Sequence, residues 1–180
     1  MVGPWTTIVL ASAFGATWCV STALAARLPR LLEAMGATTA AGSLLGPAQV
    51  AARVVEFTFL RKISPMISAR LATALHPLGA VLLAIFGPVM AVPFVLLHGA
   101  GHGMLAIARG TLPLALFGPA GYGLAHRHPL GAGTHPLLFG LVLDCGGPLL
   151  ALLCTGSLTD LSFLALFTLS PRGKRGLASA

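Results

Sequence analysis

Residues 71–108 form an apolar run with no Asp, Glu, Lys or Arg. A helix rises about 1.5 Å per residue and a bilayer core is about 30 Å thick, so one crossing needs about 20 residues. The run is too long for one helix and suits two. Gly87-Pro88 lies near its middle. Glycine is flexible and proline lacks the amide that a continuing helix needs, so the break belongs there. The pattern predicts a helical hairpin over 66–86 and 89–108, closed by Arg109.

The same pattern recurs on both sides. Residues 4–26 are uncharged, with Trp5 at one end, where an amphipathic ring suits an interface. Ala11, Ser12, Ala13, Gly15, Ala16, Ser21 and Ala23 are small enough for close helix approach. Arg27, Pro29, Arg30 and Glu33 then read as a polar connection. A second span, 36–56, is weakly hydrophobic and suits a position among other helices, with Pro47 expected to kink it. Arg61, Lys62 and Ser64-Pro65 follow. Residues 110–128 hold four glycines and two prolines and read as a long loop or a short interfacial helix. A fifth span is expected over 129–146 and a sixth over 148–169, followed by a basic tail at 172–180.

Composition fits this reading. Of 180 residues, 56% are hydrophobic and 8% charged, and the mean hydropathy is +0.91. A soluble domain carries about 25% charged residues, so an integral membrane protein is expected. The net charge of +7 comes from basic residues scattered singly or in pairs. No clustered basic stripe exists to read nucleic acid. Six spans place Arg53, Arg61, Lys62, Arg70, Arg109, Arg127, Arg172, Lys174 and Arg175 on one side, with Arg27 and Arg30 on the other. The positive-inside rule makes the first side, and both termini, cytoplasmic. Cys19, Cys145 and Cys154 are odd in number and form no CxxC pair, which argues against a disulfide framework or structural zinc. No basic region precedes the first apolar run, so a cleaved signal peptide is not expected.

Few polar groups interrupt the apolar spans. His98 and His102 are spaced i, i+4 and share one helix face. That spacing serves a metal or a proton relay; the alternative is that both bond to neighbouring backbone. HGAGH lacks the glutamate of HExxH, so the general base of a zincin is missing. Asp144, in VLDCGGP, superficially resembles the aspartate ligand of intramembrane metalloproteases, but Gly146, Gly147 and Pro148 mark it as a helix end. Asp160 falls within the sixth span, where a carboxylate is costly. It is expected to pair with a missing partner, face a cavity, or sit near the surface. Arg109 is expected to snorkel as an interface anchor, with a gating ion pair to Glu56 or Asp144 as the alternative. Gly99, Gly101 and Gly103 alternate, which suggests close packing with a kink. They are no phosphate loop, since no strand precedes them and no Lys-Ser/Thr follows.

Three segments carry a family resemblance: LLGPAQVAARVVEF (44–57), SARLATALHPLGA (68–80) and HGAGHGMLAIARGTLPLALFGPAGYG (98–123). Together they resemble the C-terminal half of bacterial major facilitator superfamily transporters, over about residues 5–170. The resemblance implies an all-α polytopic bundle of six helices, similar to helices seven to twelve of that fold. Arg61 and Lys62 match the basic pair of the family's inter-helix signature, though its acidic and glycine positions are degenerate here. The stretch LAHRHPLGAGTH (124–135) departs from the family's pattern.

The resemblance further implies a central cavity lined by the first and fourth spans. Carried over by helix position, Thr17, Trp18, Ser21, His98 and His102 are the residues to face it. The expected function is secondary transport of a small molecule, without a cofactor, in a bacterial inner membrane. Family members pack two halves around a midplane site. This chain supplies one half, so a second six-helix bundle is expected, either a copy of itself or a separate chain. The competing readings are a metal-dependent intramembrane enzyme built on His98, His102 and Asp144, and a non-catalytic subunit or truncated fragment.

Overall fold

The computed structural model describes residues 4–59, 64–125 and 135–168. The described residues are helical almost throughout. Helix α1 is Pro4–Ala34, and a 3-10 turn at Thr39–Leu44 leads into α2, Leu45–Thr58. Helix α3 is Pro65–Phe86, followed by a 3-10 turn at Gly87–Met90. Helix α4 is Ala91–Ala125 and α5 is His135–Thr168. Three apolar stretches are long enough to cross a membrane: Ile8–Ala34, Pro65–Leu112 and Leu137–Thr168.

The starts and stops have local causes. Ser64 caps α3 by accepting a hydrogen bond from the Ile67 amide at 3.4 Å, and Pro65 takes the first turn, where no amide is needed. Gly87 ends α3 at φ 68°, ψ −151°, a region open to glycine alone. The hairpin break therefore falls at the Gly87-Pro88 position that the sequence indicates. Gly147 breaks α5 in the same way, at φ 76°, ψ 174°. It divides α5 into arms 135–146 and 148–168, again where glycine and proline adjoin.

Contacts fix the directions of these segments. Gly79 lies against Phe94, and Gly101 against Ala72, so α3 and α4 are antiparallel. Gly156 faces Ala80, and Arg70 donates to the Leu166 carbonyl at 3.0 Å, so the second arm of α5 is antiparallel to α3. Gly140 lies under Arg27, and Asp144 pairs with Arg30, so the first arm runs parallel to α1. Gly99 meets Ala48, and Gly103 meets the Gln49 carbonyl, so α2 runs with α4.

Two apolar clusters fill the interior. One joins Leu24, Leu28, Leu31 and Leu32 of α1 to Leu83, Phe94, Val95 and Leu152. The other joins Leu10 and Phe14 to Ala69, Ala72, Leu105, Ala108 and Leu166. The outside is apolar as well. Phe57, Phe59, Val81, Ile85, Leu141, Leu161, Leu164 and Phe167 are all exposed. A water-facing surface rarely carries apolar area on that scale. Lipid is the solvent that suits it.

Several expected boundaries are corrected. Helix α1 does not stop at Ala26 but continues through Arg27, Pro29 and Arg30 to Ala34, so the expected polar connection is helical. The expected span 36–56 is a 3-10 turn followed by the 14-residue α2, about 21 Å long, which falls short of a bilayer core. Pro47 sits in the first turn of α2, where proline is tolerated, and produces no kink. The stretch 110–128, expected as a long loop or a separate short interfacial helix, is helical to Ala125 as a continuation of α4 past Arg109. Gly99, Gly101 and Gly103 lie in unbroken helix. Arg61, Lys62, Arg127 and the basic tail at 172–180 lie outside the described residues.

Candidate functional site

Phe94, His98 and His102 follow one another at four-residue spacing on α4, so they form one ridge along the helix. His76 of α3 meets that ridge. Its ring lies edge to face with His98 at 4.7 Å between centroids, and tilted against Phe94 at 5.9 Å. Phe94 and His98 stack at 6.1 Å. His76 is 3% exposed and His98 2%. Among the described residues, none hydrogen-bonds to either nitrogen of His76 or His98, or to Nδ1 of His102. Every imidazole carries at least one N–H donor or, when charged, two. Leaving such a group unsatisfied inside a protein costs about 1–3 kcal/mol. The alternative of backbone bonds is therefore not met, among the described residues, at either nitrogen of His98 or at Nδ1 of His102.

Further along α4 the ridge reaches α1. His102 meets the Trp18 ring edge-on at 5.6 Å, and the Arg109 guanidinium carbon lies 4.3 Å from the same ring's centroid. His102 and Arg109 are two helical turns apart, yet both heads converge on one indole. Side chains lean toward the N-terminus of their own helix. For Arg109 that direction leads into the bundle. The expectation that Arg109 ends its helix is corrected: α4 continues to Ala125, and the half-buried Arg109 lays its guanidinium against Trp18.

The remaining candidates are dispersed. Thr17 and Ser21 are buried on α1, and the Thr17 hydroxyl donates to the Ala13 carbonyl at 2.8 Å, within its own helix. Glu56 accepts a hydrogen bond from the Ser68 hydroxyl, so it is turned toward α3 rather than toward Arg109. Asp144 pairs with Arg30 at 3.7 Å, with both side chains more than half exposed (58% and 56% for Arg30 and Asp144). The alternative gating pair of Arg109 with Glu56 or Asp144 is thus replaced by two other partnerships. Asp160 is exposed in a groove of about 310 Å³ between α3 and α5, beside Pro77, Ala80 and Gly156.

The triad His98, His102 and Asp144 is not assembled. Among the described residues, no three His, Cys, Asp or Glu side chains are grouped to hold a metal ion. The three cysteines are free. His76 is the residue that sequence reasoning passed over. It lies within a quoted motif, and an imidazole in an apolar span is itself the signal that marks it.

Comparison of the chain with protein-family models and with curated proteins finds no match.

Proposed function

We propose that the chain is one bundle of a membrane transporter for a small molecule, similar to the C-terminal half of a major facilitator superfamily protein. The observation that carries this reading is the chain of polar rings inside an apolar bundle: His76, His98, His102 and Trp18, ending in Arg109. Ionisable groups within membrane helices are expensive, and their usual use is to handle a substrate or a proton. The cluster draws on α1, α3 and α4, of which the resemblance makes α1 and α4 the cavity-lining first and fourth spans.

The directions of the segments add support. α3 and α4 are antiparallel, the second arm of α5 is antiparallel to α3, and α2, too short to cross a bilayer by itself, runs with α4. In the proposed topology both termini are cytoplasmic and the membrane is the bacterial inner membrane. A single bundle provides one wall of an alternating-access pathway, so a second bundle completes it. The histidines make proton coupling chemically reasonable.

The test is uptake by vesicles reconstituted with the full chain as extracted from its membrane. They are loaded with a pool of small metabolites under an imposed pH gradient. The proposal expects at least one solute to accumulate. The His98→Ala and His102→Ala double variant should insert normally but lose that accumulation. Normal uptake in the double variant removes the histidines from the site, and no accumulation of any solute contradicts the transport reading.

A further inference from the structure

The charge balance of the ring cluster specifies more than a binding site. Arg109 reaches inward onto Trp18, and its contact there is with an aromatic face rather than a carboxylate. The single ion pair among the described residues joins Arg30 and Asp144, both largely exposed. Glu56, the one buried acid among them, accepts from Ser68 of α3 through Oε1, while its Oε2 has no hydrogen-bond partner among the described residues. Next to the guanidinium are the His102 ring, with an unpartnered Nδ1, and one turn further the fully buried His98, with both nitrogens unpartnered.

Charges inside a membrane bundle pair with one another or mark a ligand pathway. Here a permanent cation is turned toward Trp18 with no hydrogen bond to its donors among the described residues, and imidazole N–H groups lie along the same ridge. The Trp18 ring occupies one side of the guanidinium, 4.3 Å from its central carbon. A guanidinium carries five N–H groups in its plane and grips an oxyanion through two parallel hydrogen bonds. Such a constellation attracts negative charge and repels ammonium groups.

We infer that the site takes an anionic small molecule, whose carboxylate or phosphate oxygens bind Arg109 with His102 beside it. This rests on the transport reading for its purpose but not for its test, because binding is measured without transport. Trp18 positions the guanidinium, and His98 and His76 extend the polar path deeper between α3 and α4.

The test is the thermal midpoint of the full chain in mild detergent with benzoate, benzamide or benzylamine, three near-isosteres that are anionic, neutral and cationic. Inorganic phosphate is the second anion, and each probe is used at about 10 mM, above a millimolar Kd. Benzoate or phosphate should raise the midpoint, while benzamide and benzylamine leave it unchanged. Arg109→Gln should weaken the anion effect at least about tenfold, as the loss of hydrogen bonds to a charged group does. Arg109→Lys, which keeps the charge, should retain part of it. If Arg109→Gln does not fold, His102→Gln takes its place, and the isostere comparison on the unaltered chain decides the matter by itself. Stabilisation by benzamide or benzylamine but neither anion overturns the inference. So does an anion effect undiminished in Arg109→Gln, or the absence of any anion effect. Anion binding without transport leaves this inference standing and removes the transport reading; transport of a cation does the reverse.

Discussion

His76 and His98 meet edge to face with their ring centroids 4.7 Å apart, one on α3 and one on α4. Neither is needed to fill space, since a leucine of similar volume fits a dry interior better than an unpartnered imidazole. Each unsatisfied ring costs about 1–3 kcal/mol. His76→Leu and His98→Leu should therefore leave the thermal midpoint of the detergent-extracted chain unchanged or raise it, while abolishing uptake. A marked loss of stability in either variant would make these histidines structural.

The approach of α2 to α4 depends on two glycines four residues apart. A methyl on Gly99 would lie 2.8 Å from the Ala48 Cβ and 2.9 Å from the Leu45 carbonyl oxygen, and one on Gly103 would overlap the Gln49 carbonyl. Backbone cannot move aside as a side-chain tip does. Gly103→Ala should destabilise the bundle by about 1–3 kcal/mol, the usual penalty of overpacking. Gly110, where an added methyl meets nothing within 4 Å, serves as the control for Gly→Ala on the same helix. Denaturant titration of the two variants reads the difference, and equal stabilities would refute the close approach.

The two bends rest on backbone conformation alone. Gly87 and Gly147 have room for a methyl but adopt dihedrals that other residues avoid. Gly87→Ala and Gly147→Ala should each cost about 1–3 kcal/mol through strain. Cysteine cross-linking across each bend should also lose efficiency. Full stability in Gly147→Ala would mean that α5 tolerates a straight course.

Arg30 and Asp144 form an exposed pair, and such pairs contribute about 0–1 kcal/mol. Asp144→Asn should shift stability by less than about 1 kcal/mol and leave uptake intact. Loss of all function on that change would restore Asp144 to a chemical role.

Much of this architecture is legible from the spacing of apolar residues. Gly87-Pro88 and Gly146-Gly147-Pro148 mark both bends, because a flexible residue followed by one without an amide breaks a helix whatever surrounds it. Boundaries fail where polarity was read as a loop. Arg27 and Arg30 lie on continuous helix in α1, since arginine is a good helix former and Pro29 is exposed where the strain is easily absorbed. The glycines and prolines of 110–125 are likewise held in α4. In an apolar medium every backbone amide must be satisfied locally, which favours helix over what propensity suggests. Helix position alone points to Trp18, His98 and His102. The partnership of Trp18 with Arg109, and the presence of His76, depend on how α1 and α3 rotate against α4. A one-dimensional pattern does not specify that rotation.

The most direct test of the central claim is the mass of the intact assembly released from its own membrane in mild detergent, read by native mass spectrometry. A bundle that provides one wall of a transport pathway should appear with a second one, as a dimer of this chain or as a complex with a chain of similar size. A monomer alone, under conditions that keep the chain folded, would contradict the account.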